Sequence, residues 1–162
     1  MTELKTITVT VNDKIVELVV PAHRTLLEAL RHEGFVEIKC GCEKGDCGAC
    51  AVLLDGEPVD SCLTLAWHAD GREVTTIKGI GQPENADPLQ KSFIETGASQ
   101  CGYCTPGMII AAKSLLKKNP NPSLDDIKRG LSGNLCRCTG YTRIFEAVQL
   151  AAEELRAEGE SA

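Results

Sequence analysis

Nine cysteines constrain this chain more than any other feature. Eight fall into two sets on either side of a cysteine-free gap, residues 63–100. The first set is Cys42-x4-Cys47-x2-Cys50, with Cys62 after eleven intervening residues. The second is Cys101-x2-Cys104 and, after a gap of 31 residues, Cys136-x-Cys138 in the run NLCRCTGY. Two cysteines one residue apart do not readily close a disulfide on each other. Zinc ribbons, for their part, usually place two residues between ligands. The odd count and the opening MTELKTITVTVNDK, which has no basic-then-apolar run, argue against a secreted disulfide framework. In a reducing compartment, clustered thiols are more often metal ligands.

The composition fits a chain that needs such a staple. Its 162 residues allow one ordinary domain or two small ones, and 43% apolar with 4% aromatic residues leaves little for two large cores. A formal net charge of -6 argues against nucleic acid as a partner. No stretch approaches the length needed to span a membrane, so a soluble, cytoplasmic protein is expected.

The pattern changes along the chain. TITVTV alternates, putting Ile7, Val9 and Val11 on one face, and Asn12-Asp13 marks a hairpin turn before KIVELVV. Thr25 and Glu28 have capping-box spacing for a short helix, LLEALRHE, ending at Gly34. After the cysteine loop, two strands flank Asp55-Gly56, and EVTTI reads as a last strand. Residues 78–88, KGIGQPENADP, read as a linker. Beyond it the periodicity is helical. LQKSFIET ends at Gly97, and Thr105 is expected to cap a helix beginning at Pro106 and stopping at Asn119-Pro120. Ser123 and Asp126 have cap spacing for LDDIKRGL, and TRIFEAVQLAAEEL carries Ile144, Val148 and Ala151 on one stripe. The expected class is α+β, with a β-grasp-like domain over residues 1–77 and a four-helix bundle over 89–162. The acidic tail EELRAEGESA is expected to fray.

The first set has the plant-type ferredoxin spacing for a cluster of two irons and two sulfides. Four thiolates must converge there while backbone N–H groups offset their charge, and Gly41, Gly45 and Gly48 let the chain turn and approach closely. A four-cysteine zinc site is the competing reading, although such sites more often pair two C-x-x-C units. Cys40 is surplus, since taking it in place of Cys42 breaks the spacing, and it reads as a partly buried free thiol. Both pairs of the second set lie just before expected helices. Helix N-termini carry partial positive charge and free N–H donors, a good setting for an anionic thiolate site.

QCGYCTPGM and GNLCRCTGY, beside the ferredoxin-like loop, closely resemble the iron–sulfur subunit of the molybdenum hydroxylases, the xanthine dehydrogenase and aldehyde oxidoreductase family. The resemblance covers about residues 5 to 152. It implies a β-grasp ferredoxin domain and a four-helix bundle, with one 2Fe-2S cluster in each. Cys42, Cys47, Cys50 and Cys62 would ligate the cluster nearer FAD, and Cys101, Cys104, Cys136 and Cys138 the cluster nearer molybdenum. Gln100 would hydrogen-bond the pterin, and Cys138 would also touch it. Lys39 and the loop glycines fit the pattern, while Cys40 stands at a variable position. The implied partners are a large molybdopterin-binding subunit and a medium FAD-binding subunit, in a heterotrimer or its dimer. This chain would then be a separate subunit that passes electrons and performs no substrate chemistry, with no catalytic residue of its own. The run DSCLTLAWHADGREVTTIKG resembles bacterial xanthine dehydrogenase small subunits most, making purine the first expectation for the parent enzyme. Aldehyde, nicotinate or other N-heterocycle, carbon monoxide and 4-hydroxybenzoyl-CoA enzymes are the alternatives. A free-standing two-cluster carrier and a zinc-stabilised interaction module are readings from other classes. His23, His32 and His68 are isolated from one another, Trp67 reads as a packing residue, and Arg137 as a solvated or partner-facing side chain.

Overall fold

The computed structural model describes residues 3–160. Strands β1 (Leu4–Val11) and β2 (Lys14–Pro21) form an antiparallel hairpin in register from Leu4↔Pro21 to Val11↔Lys14. The turn is Asn12-Asp13, with both residues at positive φ, 48° and 66°. That backbone twist matches the flanking strands, and Asn and Asp tolerate it. Ile7, Val9 and Val11 face inward and are buried, while Thr6 and Thr8 face solvent. Each such buried Val or Ile contributes about 1.5–3 kcal/mol relative to an exposed one.

Helix α1 (Leu26–His32) starts from a complete capping box, Thr25 with Glu28, and buries Leu26, Leu27, Ala29 and Leu30 against the strands. A long loop leads to β3 (Ala51–Leu54) and β4 (Glu57–Asp60), joined through Asp55-Gly56, again both at positive φ. A 3-10 turn, Ala66–Ala69, precedes β5 (Glu73–Thr75). The sheet order is β2-β1-β5-β3-β4, mixed because β5 runs parallel to β1 while its other neighbour, β3, is antiparallel. The last strand is shorter than EVTTI: Thr76 leaves the sheet to cap a helical turn, α2 (Ile77–Ile80), and exchanges two hydrogen bonds with Asn12, at 2.8 and 2.9 Å.

Within residues 78–88, Gln82 and Asn85 pair in a small bridge and Ile80 packs on the second core, as does Ile77 just before them. That core lies among α3 (Pro88–Glu95), α4 (Thr105–Lys118), α5 (Leu124–Gly130) and α6 (Thr142–Glu160). Phe93, Met108, Ile127, Leu131 and Ile144 are its large buried members, and Ala147 and Ala151 let α6 come close to its neighbours. Asp87 with Gln90 caps α3, and Ser123 with Asp126 caps α5, both as full capping boxes.

One expectation is corrected, and one helix is longer than expected. Thr105 does not cap α4: Cys104 is the cap residue, Thr105 is already helical, and its hydroxyl donates to Ser99 Oγ. Proline is accepted at either of the first two helical positions, so Pro106 was compatible with both registers. The last helix runs past Leu155, where the expected TRIFEAVQLAAEEL helix ends. Helix α6 continues to Glu160 because Leu155 packs on the core and Arg156 reaches Asn121 Oδ1, while residues 161–162 lie outside the described ones. Among the described residues, no helix is long and apolar enough to cross a membrane.

Candidate metal centres

Hairpin geometry brings the buried half of the first thiol set together. Cys50 directly precedes β3 and Cys62 follows β4 by two residues, so the Ala51↔Asp60 register sets their thiols side by side. Both are buried, and they share a hydrogen bond. Ser61 Oγ donates to the Cys50 carbonyl at 2.7 Å and fixes that crossing. Burial, and after it the neighbouring Cys62, pushes the Cys50 thiol up to about 12. The other half is more open. Cys42 and Cys47 are half-buried and hydrogen-bonded to each other. The Lys44 backbone N–H donates to Cys42 Sγ at 3.4 Å. That bond, with the Cys47 thiol, brings Cys42 down to about 7. At Cys42 the loop's N–H groups therefore favour thiolate, as anion-binding backbone does, whereas burial raises the neighbouring Cys47 thiol. Gly41 is required by close approach: a Cβ there would lie 2.8 Å from Cys47 Sγ.

The second set also arrives in pairs. The Cys101 and Cys138 thiols lie 3.6 Å apart and are exposed, whereas Cys104 and Cys136 are half-buried and hydrogen-bonded to each other. Cys104 caps α4, and the Cys136–Cys138 loop runs into α6 through Tyr141, whose φ is 69°. Burial, then Cys136, pushes Cys104 up to about 12. At Cys136 burial also works upward, but Thr139 Oγ1 at 3.2 Å and nearby N–H groups outweigh it, and the thiol sits below its usual value. Tyr141 OH accepts from the Cys136 N–H at 3.0 Å, bracing the loop. Gln100 is exposed beside Cys101, and Arg137 is exposed between the two ligand candidates.

This donor chemistry fits two irons better than one ion. Four thiolates around a single tetrahedral zinc at about 2.3 Å would all lie within about 3.8 Å of one another. Here they come two by two, and among the described residues no three His, Cys, Asp or Glu side chains converge to hold a single metal ion. Two pairs per set is what a 2Fe-2S cluster takes, two thiolates on each iron. The Cys40 thiol is turned to another partner, donating to Glu43 Oε1 at 2.6 Å, while its carbonyl accepts from Tyr103 OH. Trp67 packs on the first core, its Nε1 donating to the Val20 carbonyl at 3.2 Å, and His32 lies beside Glu33. Sequence reasoning missed Asn134, Tyr103, Tyr141 and Gly107. All four stand in the runs QCGYCTPGM and GNLCRCTGY, but nothing local to them shows which distant groups they meet.

Residues 9–76 match the family described as a 2Fe-2S iron-sulfur cluster binding domain, and residues 76–149 match a second family, the 2Fe-2S binding domain. The nicotinate dehydrogenase small FeS subunit of Eubacterium barkeri is 46% identical over 91% of this chain and 95% of its own length. The xanthine dehydrogenase iron-sulfur-binding subunit of Escherichia coli O157:H7 is 43% identical over 90% of this chain and 93% of its own. Among solved structures, quinoline 2-oxidoreductase from Pseudomonas putida 86 superposes with a TM-score of 0.90 at 44% identity, covering 96% of this chain and 98% of that one. The chain belongs to the family of small electron-transfer subunits, with two 2Fe-2S domains, of the molybdenum hydroxylases.

Proposed function

We propose that Cys42, Cys47, Cys50 and Cys62 hold one 2Fe-2S cluster and Cys101, Cys104, Cys136 and Cys138 a second. Residues 1–77 act as a β-grasp unit for the first, residues 78–88 as the connection, and 89–162 as a four-helix bundle for the second. When bound, the clusters supply one-electron stations, so that the two electrons removed at a molybdopterin site in a large partner subunit leave singly toward FAD in a medium subunit. The chain's own residues hold and tune these stations. Lys44 N–H offsets charge at Cys42, burial keeps solvent from Cys50 and Cys62, and Tyr141 braces the Cys136 loop. The observation that carries this reading is the arrangement of eight thiols as four close pairs, one of which, Cys101 with Cys138, is exposed. Gln100 and Cys138 form the edge that would meet the pterin. The complex is a heterotrimer or its dimer in the cytoplasm.

For the parent enzyme we infer a purine dehydrogenase of the xanthine type, supported by the DSCLTLAWHADGREVTTIKG run and by the relative of that name. Nicotinate-type and other N-heterocycle hydroxylases come next, as a relative of comparable identity carries the nicotinate name. The test is co-purification with the large subunit, followed by anaerobic addition of substrate. Xanthine should bleach the visible iron–sulfur absorption of the complex. Bleaching by nicotinate or an aldehyde instead moves the parent enzyme and leaves the electron-transfer role intact. A chain that purifies without partners and carries two clusters points to a free-standing carrier.

A further inference from the structure

Three segments that each carry a thiol meet at one point. Gly48 follows Cys47, Gly107 lies one turn after Cys104 in α4, and Asn134-Leu135 precedes Cys136. Asn134 is polar yet only 7% exposed, and its Nδ2 donates to the Gly48 carbonyl at 3.0 Å across 86 residues of sequence. One residue on, the Leu135 N–H donates to the Cys47 carbonyl, also at 3.0 Å. Two adjacent donors from one loop therefore engage two adjacent carbonyls of the other. A single such bond is a hinge, whereas a pair removes the rotation.

The fit leaves no slack. Gly48 sits at φ +65°, and a Cβ on it would lie 2.5 Å from both Asn134 Nδ2 and the Gly133 carbonyl. A Cβ on Gly107 would lie 2.3 Å from the Gly48 carbonyl. Backbone thus meets backbone, and the Asn134 amide fills the remaining space as a buried, satisfied donor. Buried polar groups are kept when their partners fix one geometry, because losing the partner is costly.

We propose that Asn134 is a positioning residue for electron exchange between the two thiol sets, and this rests on the two-cluster reading above. One direct bonded link, from a ligand candidate of one set to the segment of the other, is Cys47 C=O···H–N Leu135, with Cys136 next along the chain; Tyr103 OH to the Cys40 carbonyl joins the flanking segments elsewhere. Asn134 keeps the Cys47–Leu135 link made by holding the following carbonyl. It contacts no reacting atom and ligates nothing. Its effect is on the separation and coupling of the two centres.

The test uses the full chain with both clusters, measured by iron and sulfide analysis and by low-temperature electron paramagnetic resonance. Asn134→Asp keeps the side-chain shape but turns an acceptor toward the Gly48 carbonyl, and Asn134→Ser shortens the donor. Both should retain two clusters while the resolved spin–spin splitting between the reduced centres is lost or smeared. An unchanged splitting with full clusters overturns this inference alone. A wild-type chain without two clusters overturns the parent reading and this inference with it. Hydrogen exchange on the wild type needs no variant: the Leu135 amide should exchange as slowly as core amides such as that of Val148. Fast exchange at Leu135 overturns the clamp even if both variants fail to fold.

Discussion

The thiols of Cys101 and Cys138 lie 3.6 Å apart although 37 residues separate them, and both are exposed. Such a pair can be opened without disturbing either hydrophobic core. Cys138→Ser should abolish metal binding by the second set and leave the first intact, halving the iron per chain. Metal analysis with electron paramagnetic resonance of the reduced variant checks this. A variant that keeps both signals would remove Cys138 from the ligand set.

Gly41 and Gly34 separate steric from conformational demand. Gly41→Ala drives a Cβ to 2.8 Å from Cys47 Sγ. It should lower iron bound by the first set and cost about 1–3 kcal/mol, as overpacking does. Gly34, at φ +91°, has open space where its Cβ would be. Gly34→Ala should therefore cost about 1 kcal/mol of backbone strain and leave iron content unchanged. Equal loss of iron in both variants would contradict the close-approach account.

Ser123 and Thr105 make a matched pair for stability. Ser123 Oγ accepts from the Asp126 N–H and caps α5, whereas Thr105 is the first residue of α4 and contributes only the bond to Ser99. Ser123→Ala should lose about 1 kcal/mol, read as a lowered midpoint in thermal unfolding. Thr105→Ala should lose markedly less. The reverse order would restore Thr105 as the cap.

Acid should weaken the fold through the same devices. Glu28 is held below the ordinary carboxylate range by the Thr25 N–H, Asp55 by the Glu73 N–H and then Arg72, and Asp126 by the Ser123 hydroxyl and then its N–H. Each carboxyl is more acidic folded than unfolded. The contribution is therefore full above the unfolded value near pH 4, and is lost as pH falls through the lower folded values. Unfolding midpoints in denaturant should drop below about pH 4, and less so in Glu28→Gln, which has already lost the linkage. A midpoint that rises on acidification would contradict it.

Much of this architecture was legible because its signals are local. The Asn12-Asp13 and Asp55-Gly56 turns, the Thr25 and Ser123 caps, and the inward alternation of Ile7, Val9 and Val11 each rest on a few adjacent residues. The Cys42-x4-Cys47-x2-Cys50 spacing was legible for the same reason, whereas the pairing of Cys101 with Cys138 and of Cys104 with Cys136 appears only in the folded chain. What escaped was long-range. Asn134 stands in the GNLCRCTGY run, yet only the folded chain places its amide against Gly48, 86 residues away. The continuation of α6 beyond Leu155 was hidden similarly, because Arg156 is anchored by Asn121, a group outside its own helix.

The deciding quantity is how many two-iron centres the eight paired thiols hold. The direct measurement is electron paramagnetic resonance of the anaerobically purified, dithionite-reduced chain, with spins counted per protein. Two distinguishable signals of about one spin each are predicted, because each reduced 2Fe-2S centre carries one unpaired electron. A single signal, or none with zinc in the metal analysis, would contradict the two-cluster reading.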